Sequence, residues 1–94
     1  VIDVIRRLAE LGHQVTVHDP RADAGEARHE YGVDLAAGAL DGRYDLVVVA
    51  VPHRDYALIQ DERLSGLVAE GGLLADLKNL YGGRDLAGVE RWTL

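Results

Sequence analysis

Two polar corners follow apolar runs in this sequence: Pro52–Asp55 (PHRD) after "DLVVVAV", and Lys78–Asn79 after "LLADL". They gather residue types that suit an anion. Lys78 offers a point cation with three donors, a good match for a diphosphate. Read from the residues alone, a solvated lysine on a loop is the plainer account of it. Asn79 could donate to a phosphate or ribose oxygen, but Asn is also a turn former, and the turn is the stronger expectation. His53 and Arg54 follow Pro52, which cannot donate to a central ladder and should end its strand. Both are placed for an anion or a subunit contact, against the alternative of a His that only fills a strand-to-helix corner. Asp55 is a candidate N-cap for the next helix. Asp19 ends "VTVH" where a dinucleotide-binding domain puts its ribose-binding acid, and Pro20 closes the strand there.

Other chemistries find little support. The chain has no Cys, so thiolate catalysis and disulfides are excluded. Ser65 is the only serine and no nucleophile elbow surrounds it. His13, His18, His29 and His53 lack metal-ligand spacing. "YGGRDLAG" is glycine-rich but fits neither the dinucleotide fingerprint nor the P-loop, and reads as turns. With 16 acidic against 10 basic residues, net −6, a nucleic-acid or anionic-membrane surface is not expected. No apolar run approaches the ~18–20 residues of a membrane span, so the chain reads as soluble and compatible with the cytoplasm.

The elements that must position these residues alternate between helix and strand. Val1, Ile2, Ile5, Leu8 and Leu11 form a helical stripe closed by Gly12, and Val15–His18 reads as a short strand closed by Pro20. A weak helix is expected from about Ala22 to Tyr31, stopped by Gly32, with "VDL" as a brief edge strand. "LVVVAV" (Leu46–Val51) is the clearest strand, a run expected to be buried on both faces. Asp55–Ala69 suggests one helix or two shorter ones, interrupted around Gln60–Glu62 and ended by Gly71 and Gly72. Leu73–Leu77 is a second buried strand, and "VERWTL" a final one. The class is α/β: a Rossmann-like, mainly parallel sheet with flanking helices, all of residues 1–94 forming one domain. Val1 is already in mid-helix with no cap before it. Since right-handed crossovers build such sheets, a first, central strand is expected upstream, between "VTVH" and "LVVVAV" in the order 3-2-1-4-5-6.

In order and spacing, "VIDVIRRLAELGHQVTVHDPRAD", "YGVDL", "YDLVVVAVPHRDY", "GGLLADLKNLY" and "ERWTL" resemble the C-terminal UDP-sugar-binding domain of the UDP-glucose/GDP-mannose dehydrogenase family. The "AVPHRDY" corner looks closest to the branch acting on UDP-N-acetylhexosamines. The resemblance implies that the chain is part of a larger NAD-dependent 6-dehydrogenase. An N-terminal Rossmann domain of the same polypeptide would bind NAD, and a central region would hold the catalytic Cys and form a homodimer. It implies that Lys78 meets the UDP, at the position where the family carries Lys or Arg. The family's opening strand, with its Phe-Lys pair, and the Asp-x-Arg segment after it have no counterpart here, so these residues alone are expected to be inactive.

Two further readings remain open from the sequence. "LAELGHQVTVHD" with "VVVAVP" also resembles the NAD(P)-binding domain of hydroxyacid and prephenate dehydrogenases, although "DLKNLYGG" and "ERWTL" speak against it. A non-enzymatic assembly domain is the other.

Overall fold

The leading apolar stripe folds as helix α1, Ile2–Glu10, in a computed structural model that describes residues 2–94. Ile2, Ile5 and Leu8 are half-buried, while Val4 and Leu11 stay exposed. The helix closes at Gly12, where the N–H groups of Gly12 and His13 reach back to the carbonyls of Ala9 and Leu8. Helix α2, Ala24–Tyr31, is N-capped by Asp23, whose Oδ1 accepts the Glu26 N–H at 2.9 Å, and it stops at Gly32 with φ 66°.

The segment "VTVH" does not form the expected strand. Only Val17 pairs, through an isolated parallel bridge to Leu35 of "VDL", backed by the Ala36 N–H donating to the Val17 carbonyl at 2.7 Å. The chain turns away too soon for more. Asp19 Oδ1 accepts the N–H groups of Arg21 at 2.9 Å and Ala22 at 3.2 Å, an Asx-type turn that fixes the corner around Pro20. The strand expected before Val1 lies outside the described residues. These elements make up a first compact unit running to Leu40.

The second unit, Asp41–Leu94, holds the sheet. Strands β1 (Tyr44–Val49), β2 (Val68–Asp76) and β3 (Glu90–Trp92) lie in the order β1-β2-β3, all parallel. Between β1 and β2 the chain forms two short helices, α3 (Arg54–Ala57) and α4 (Asp61–Leu67). The fold is therefore α/β, a parallel sheet flanked by helices. Leu64 and Leu67 of α4 are buried with Val68 and Leu74 of β2, so the amphipathic face of the helix and the middle strand make the core. Among the described residues, no helix is long and apolar enough to cross a membrane.

Three boundaries depart from expectation. β1 ends at Val49, ahead of Pro52, because its last partner is Asp76, where β2 itself turns off. It is an edge strand of this sheet with Leu46 exposed, so it is not buried on both faces. β3 keeps only Glu90–Trp92 because it pairs only with Leu73–Ala75. Gly71 and Gly72 do not end a helix; α4 gives way directly to β2 at Val68, and both glycines lie inside the strand. There the register slips: Tyr44 pairs with Val68 but Leu46 with Leu73, so β2 carries extra residues in between. Gly71 takes φ 77°, and a Cβ on Gly72 would stand 2.7 Å from the Asp45 carbonyl oxygen and 2.8 Å from that of Ala69.

Backbone oxygens cannot step aside cheaply, so Gly72→Ala should destabilise the fold by about 1–3 kcal/mol. Gly66, exposed in α4 with nothing within 4 Å of its missing Cβ, is the internal contrast. Gly66→Ala should stabilise by about 0.5–1 kcal/mol. Denaturant midpoints of the two variants should therefore move in opposite directions. Equal shifts would show that the bulge tolerates a side chain.

Candidate functional site

Parallel pairing brings the carboxyl ends of β1 and β2 side by side, Val49 opposite Asp76, and the Leu77 N–H donates to the Val49 carbonyl at 3.0 Å just beyond them. The corners leaving both strands thus emerge on one edge of the sheet, the position where open α/β sheets bind ligands. The β1 corner carries His53 and Arg54. Lys78 and Asn79 stand on the β2 corner.

The β2 corner is built around a buried carboxylate. Asp76 is 1% exposed. Its Oδ1 accepts the Leu80 N–H at 2.9 Å, its Oδ2 accepts the Tyr81 N–H at 2.8 Å, and its carbonyl accepts the Asn79 N–H at 3.2 Å. Asn79 sits at φ 52°, a left-handed turn position that Asn tolerates well. Its side chain lies over Gly82, where a Cβ would come within 2.7 Å of Nδ2.

Tyr81, also 1% exposed, ties this corner to the other. Its hydroxyl donates to the Tyr56 carbonyl in α3 at 2.9 Å. Arg84 completes the link. A helix as short as α3 cannot satisfy its own last carbonyls; the Arg84 guanidinium donates to the carbonyls of Ala57 at 3.5 Å and Ile59 at 2.5 Å, and its Nε to Asp61 Oδ1 at 2.7 Å. From β3, Arg91 donates to the carbonyl of Arg84 at 2.5 Å and to that of Tyr81.

The four residues singled out from the sequence therefore share one edge of the sheet. Lys78, the chain's only lysine, is exposed two residues beyond buried Asp76. Arg54 is exposed in the first turn of α3. Among the described residues neither cation is in an ion pair, whereas Arg7, Arg28, Arg63 and Arg84 pair with Glu10, Asp34, Asp41 and Asp61. His53 is half-buried at the N-cap of α3, with its ring 5.4 Å from that of Tyr56. Asp55 is in the first turn and is not the cap. Asp19 belongs to the first unit and lines a cleft of about 290 Å³ with His18, Pro20 and Leu35. An acid already engaged by two backbone N–H groups does not make that cleft an anion site. No group of three or more His, Cys, Asp or Glu that could hold a metal occurs among the described residues.

The sequence reading missed Asp76, Tyr81, Arg84 and Arg91. A lone acid inside the apolar "LLADL" was the available signal, since a buried charge must be answered by nearby donors. The arginine contacts join positions too far apart in sequence to leave one.

Burial pushes the Tyr81 phenol up from its ordinary 10.0 to about 12; the Arg84 guanidinium, 5.1 Å from the ring centroid, opposes this and Asp76 adds to it. Below pH ~10 both folded and unfolded Tyr81 keep the proton, so stability does not depend on it. Above that the unfolded chain ionises first, and stability should fall by roughly 2–3 kcal/mol as pH rises through the folded value. Tyr81→Phe should flatten this part of the profile, measured by denaturant unfolding from pH 9 to 12. An unchanged slope would place the alkaline loss elsewhere.

Comparison with known proteins adds the family. Residues 1–83 match the UDP-glucose/GDP-mannose dehydrogenase family, UDP binding domain. The UDP-N-acetyl-D-glucosamine 6-dehydrogenase of Pseudomonas aeruginosa is 38% identical over 80 residues, 85% of this chain and 19% of the relative. That of Salmonella typhi is 33% identical over 78 residues, 83% of this chain and 18% of the relative. Protein CapL of Staphylococcus aureus is 36% identical over 95 aligned positions, covering 100% of this chain and 22% of the relative. The chain thus spans only about a fifth of the length of these relatives. With an α/β sheet whose carboxyl edge carries an unpaired lysine, and with that match over most of its length, the chain belongs to the UDP-glucose/GDP-mannose dehydrogenase family as a UDP-binding domain.

Proposed function

We propose that this chain grips the uridine diphosphate of a UDP-sugar for an NAD-dependent 6-dehydrogenase, with Lys78 as the principal contact to the diphosphate. The observation that carries this reading is the lysine itself: an unpaired cation on a hydrogen-bonded corner at the carboxyl edge of a parallel sheet. Arg54 and His53 would meet the ligand from the β1 corner, and Asn79 serves chiefly as the turn that presents Lys78. The names of two relatives favour an N-acetylhexosamine as the sugar.

The overall reaction in this reading takes the sugar C6 alcohol and one water, which supplies the second carboxyl oxygen, to a uronic acid, with two hydrides transferred and two protons released. Those hydrides would go to NAD held by another part of the polypeptide. The residues of this chain do not fit that cofactor, because they contain no G-x-G-x-x-G loop and the carboxylate of Asp19 is engaged by its own turn. No Cys is present to form a thiohemiacetal. The contribution of the domain is positioning: holding the UDP handle far from the reacting carbon turns remote binding energy into orientation at the cofactor. A homodimeric, cytoplasmic enzyme is the setting we infer from the family.

Calorimetric titration should show UDP binding and no NAD binding by this chain. NAD binding without UDP binding would overturn the proposal in favour of a cofactor domain, and binding of neither would leave an assembly role. In the full-length protein, Lys78→Ala should weaken UDP-sugar binding by about 1.5–3 kcal/mol, the range for a hydrogen bond to a charged group, with the melting temperature unmoved. An unaltered KM with a lowered melting temperature would make Lys78 structural. The 94-residue chain alone should produce no NADH from any UDP-sugar.

A further inference from the structure

We infer that Asp76 is a positioning residue for the ligand, acting through Lys78 and never touching the nucleotide. The inference rests on the proposed role of Lys78. Asp76 and Lys78 bracket Leu77, the residue whose N–H closes the β1–β2 ladder on Val49. Beyond Lys78, the N–H groups of Asn79, Leu80 and Tyr81 all return to Asp76, one to its carbonyl and two to its carboxylate. The loop is thus anchored on both sides of Lys78, upstream by Leu77 on the Val49 carbonyl and downstream on Asp76, which is 1% exposed.

Successive backbone N–H groups after a left-handed residue form a concavity that ordinarily receives an anion. Here the chain supplies its own. The carboxylate of Asp76 fills the concavity of Leu80 and Tyr81, so a diphosphate arriving at this corner is met by the Lys78 ammonium and not by the loop amides. Asp76 therefore fixes both the path of the loop and the kind of group the loop offers. A neutral amide could not do the same, because Asn has one acceptor oxygen and an NH₂ that would face one of the two N–H donors. Lys78 would then lose its fixed base.

The test is a double-substitution cycle on UDP affinity in the full-length protein, with folding checked by circular dichroism. Asp76→Asn should lower UDP affinity about tenfold or more, while Asp76→Asn with Lys78→Ala should bind no more weakly than Lys78→Ala alone, because residues acting as one unit are not additive. Affinity unchanged in Asp76→Asn, or losses that simply add, would overturn the inference. A second measurement uses the unmodified protein, in case the variant does not fold. If UDP binds only when the loop is closed on Asp76, saturating UDP should slow amide exchange at Leu80 and Tyr81. UDP binding with unchanged exchange at both amides would also overturn it. Absence of UDP binding by the unmodified protein sinks the UDP reading and this inference with it, whereas UDP binding that is indifferent to Asp76 sinks this inference alone.

Discussion

A carboxylate that is 1% exposed at the end of the middle strand sets the terms for the rest of the second unit. Charge withdrawn from water must be answered by donors or it is expelled. The donors that answer it are backbone N–H groups just downstream: the chain curls back after Lys78 and places those of Leu80 and Tyr81 on the two oxygens. That curl directs Tyr81 inward, where its ring is buried and its hydroxyl meets the Tyr56 carbonyl. One buried charge therefore organises a loop, a core aromatic and a tie to the neighbouring corner.

Two arginines then do for the surrounding carbonyls what Asp76 does for the amides. Arg84 satisfies acceptors at the end of α3 that a single helical turn leaves open, and Arg91 reaches from β3 to the carbonyls of Tyr81 and Arg84. Planar guanidinium forks suit this work because each can serve two acceptors at once. Both residues lie beyond the matched stretch 1–83, yet they support the corner from outside it. The short β3, which pairs with β2 only over Leu73–Ala75, matters as the platform for Arg91 more than as a strand.

Much of this was legible from the sequence where a local rule governs. The parallel α/β class followed from alternating helical and strand periods, and the ends at Gly12 and Gly32 from left-handed caps; of the one helix or two left open over Asp55–Ala69, two form, but the break falls at Leu58–Gln60, and Asp61 and Glu62 of the expected interruption open α4. The failures lie where tertiary pairing overrides the local signal. Gly71 and Gly72 look like a helix stop, but the sheet uses them to absorb a register slip against Asp45. "VTVH" has good strand propensity, yet Asp19 turns the chain after a single bridge. For the site, exposed cations after apolar runs were visible as residue types, while the residues that hold them were not, because an inward Asp and a distant Arg become partners only through the fold.

If Lys78 meets a diphosphate as proposed, the charge balance gives a reason for such a corner to be rigid. A chain of net −6 does not attract an anionic nucleotide over distance. At 10 Å in water each like-charge pair opposes approach by only about 0.4 kcal/mol, and salt screens even that. At 4 Å near a protein surface, a single opposite charge attracts by about 4 kcal/mol. One well-placed cation can thus outweigh the whole unfavourable field, but only at contact distance. Since the attraction falls off within a few ångströms, a lysine on a floppy loop would lose much of it to the entropy of holding the loop in place. A corner fastened by hydrogen bonds to Asp76 has already met that cost during folding, so in the role proposed for Lys78 the stability of the loop and its capacity to hold a nucleotide would be two consequences of the same buried carboxylate.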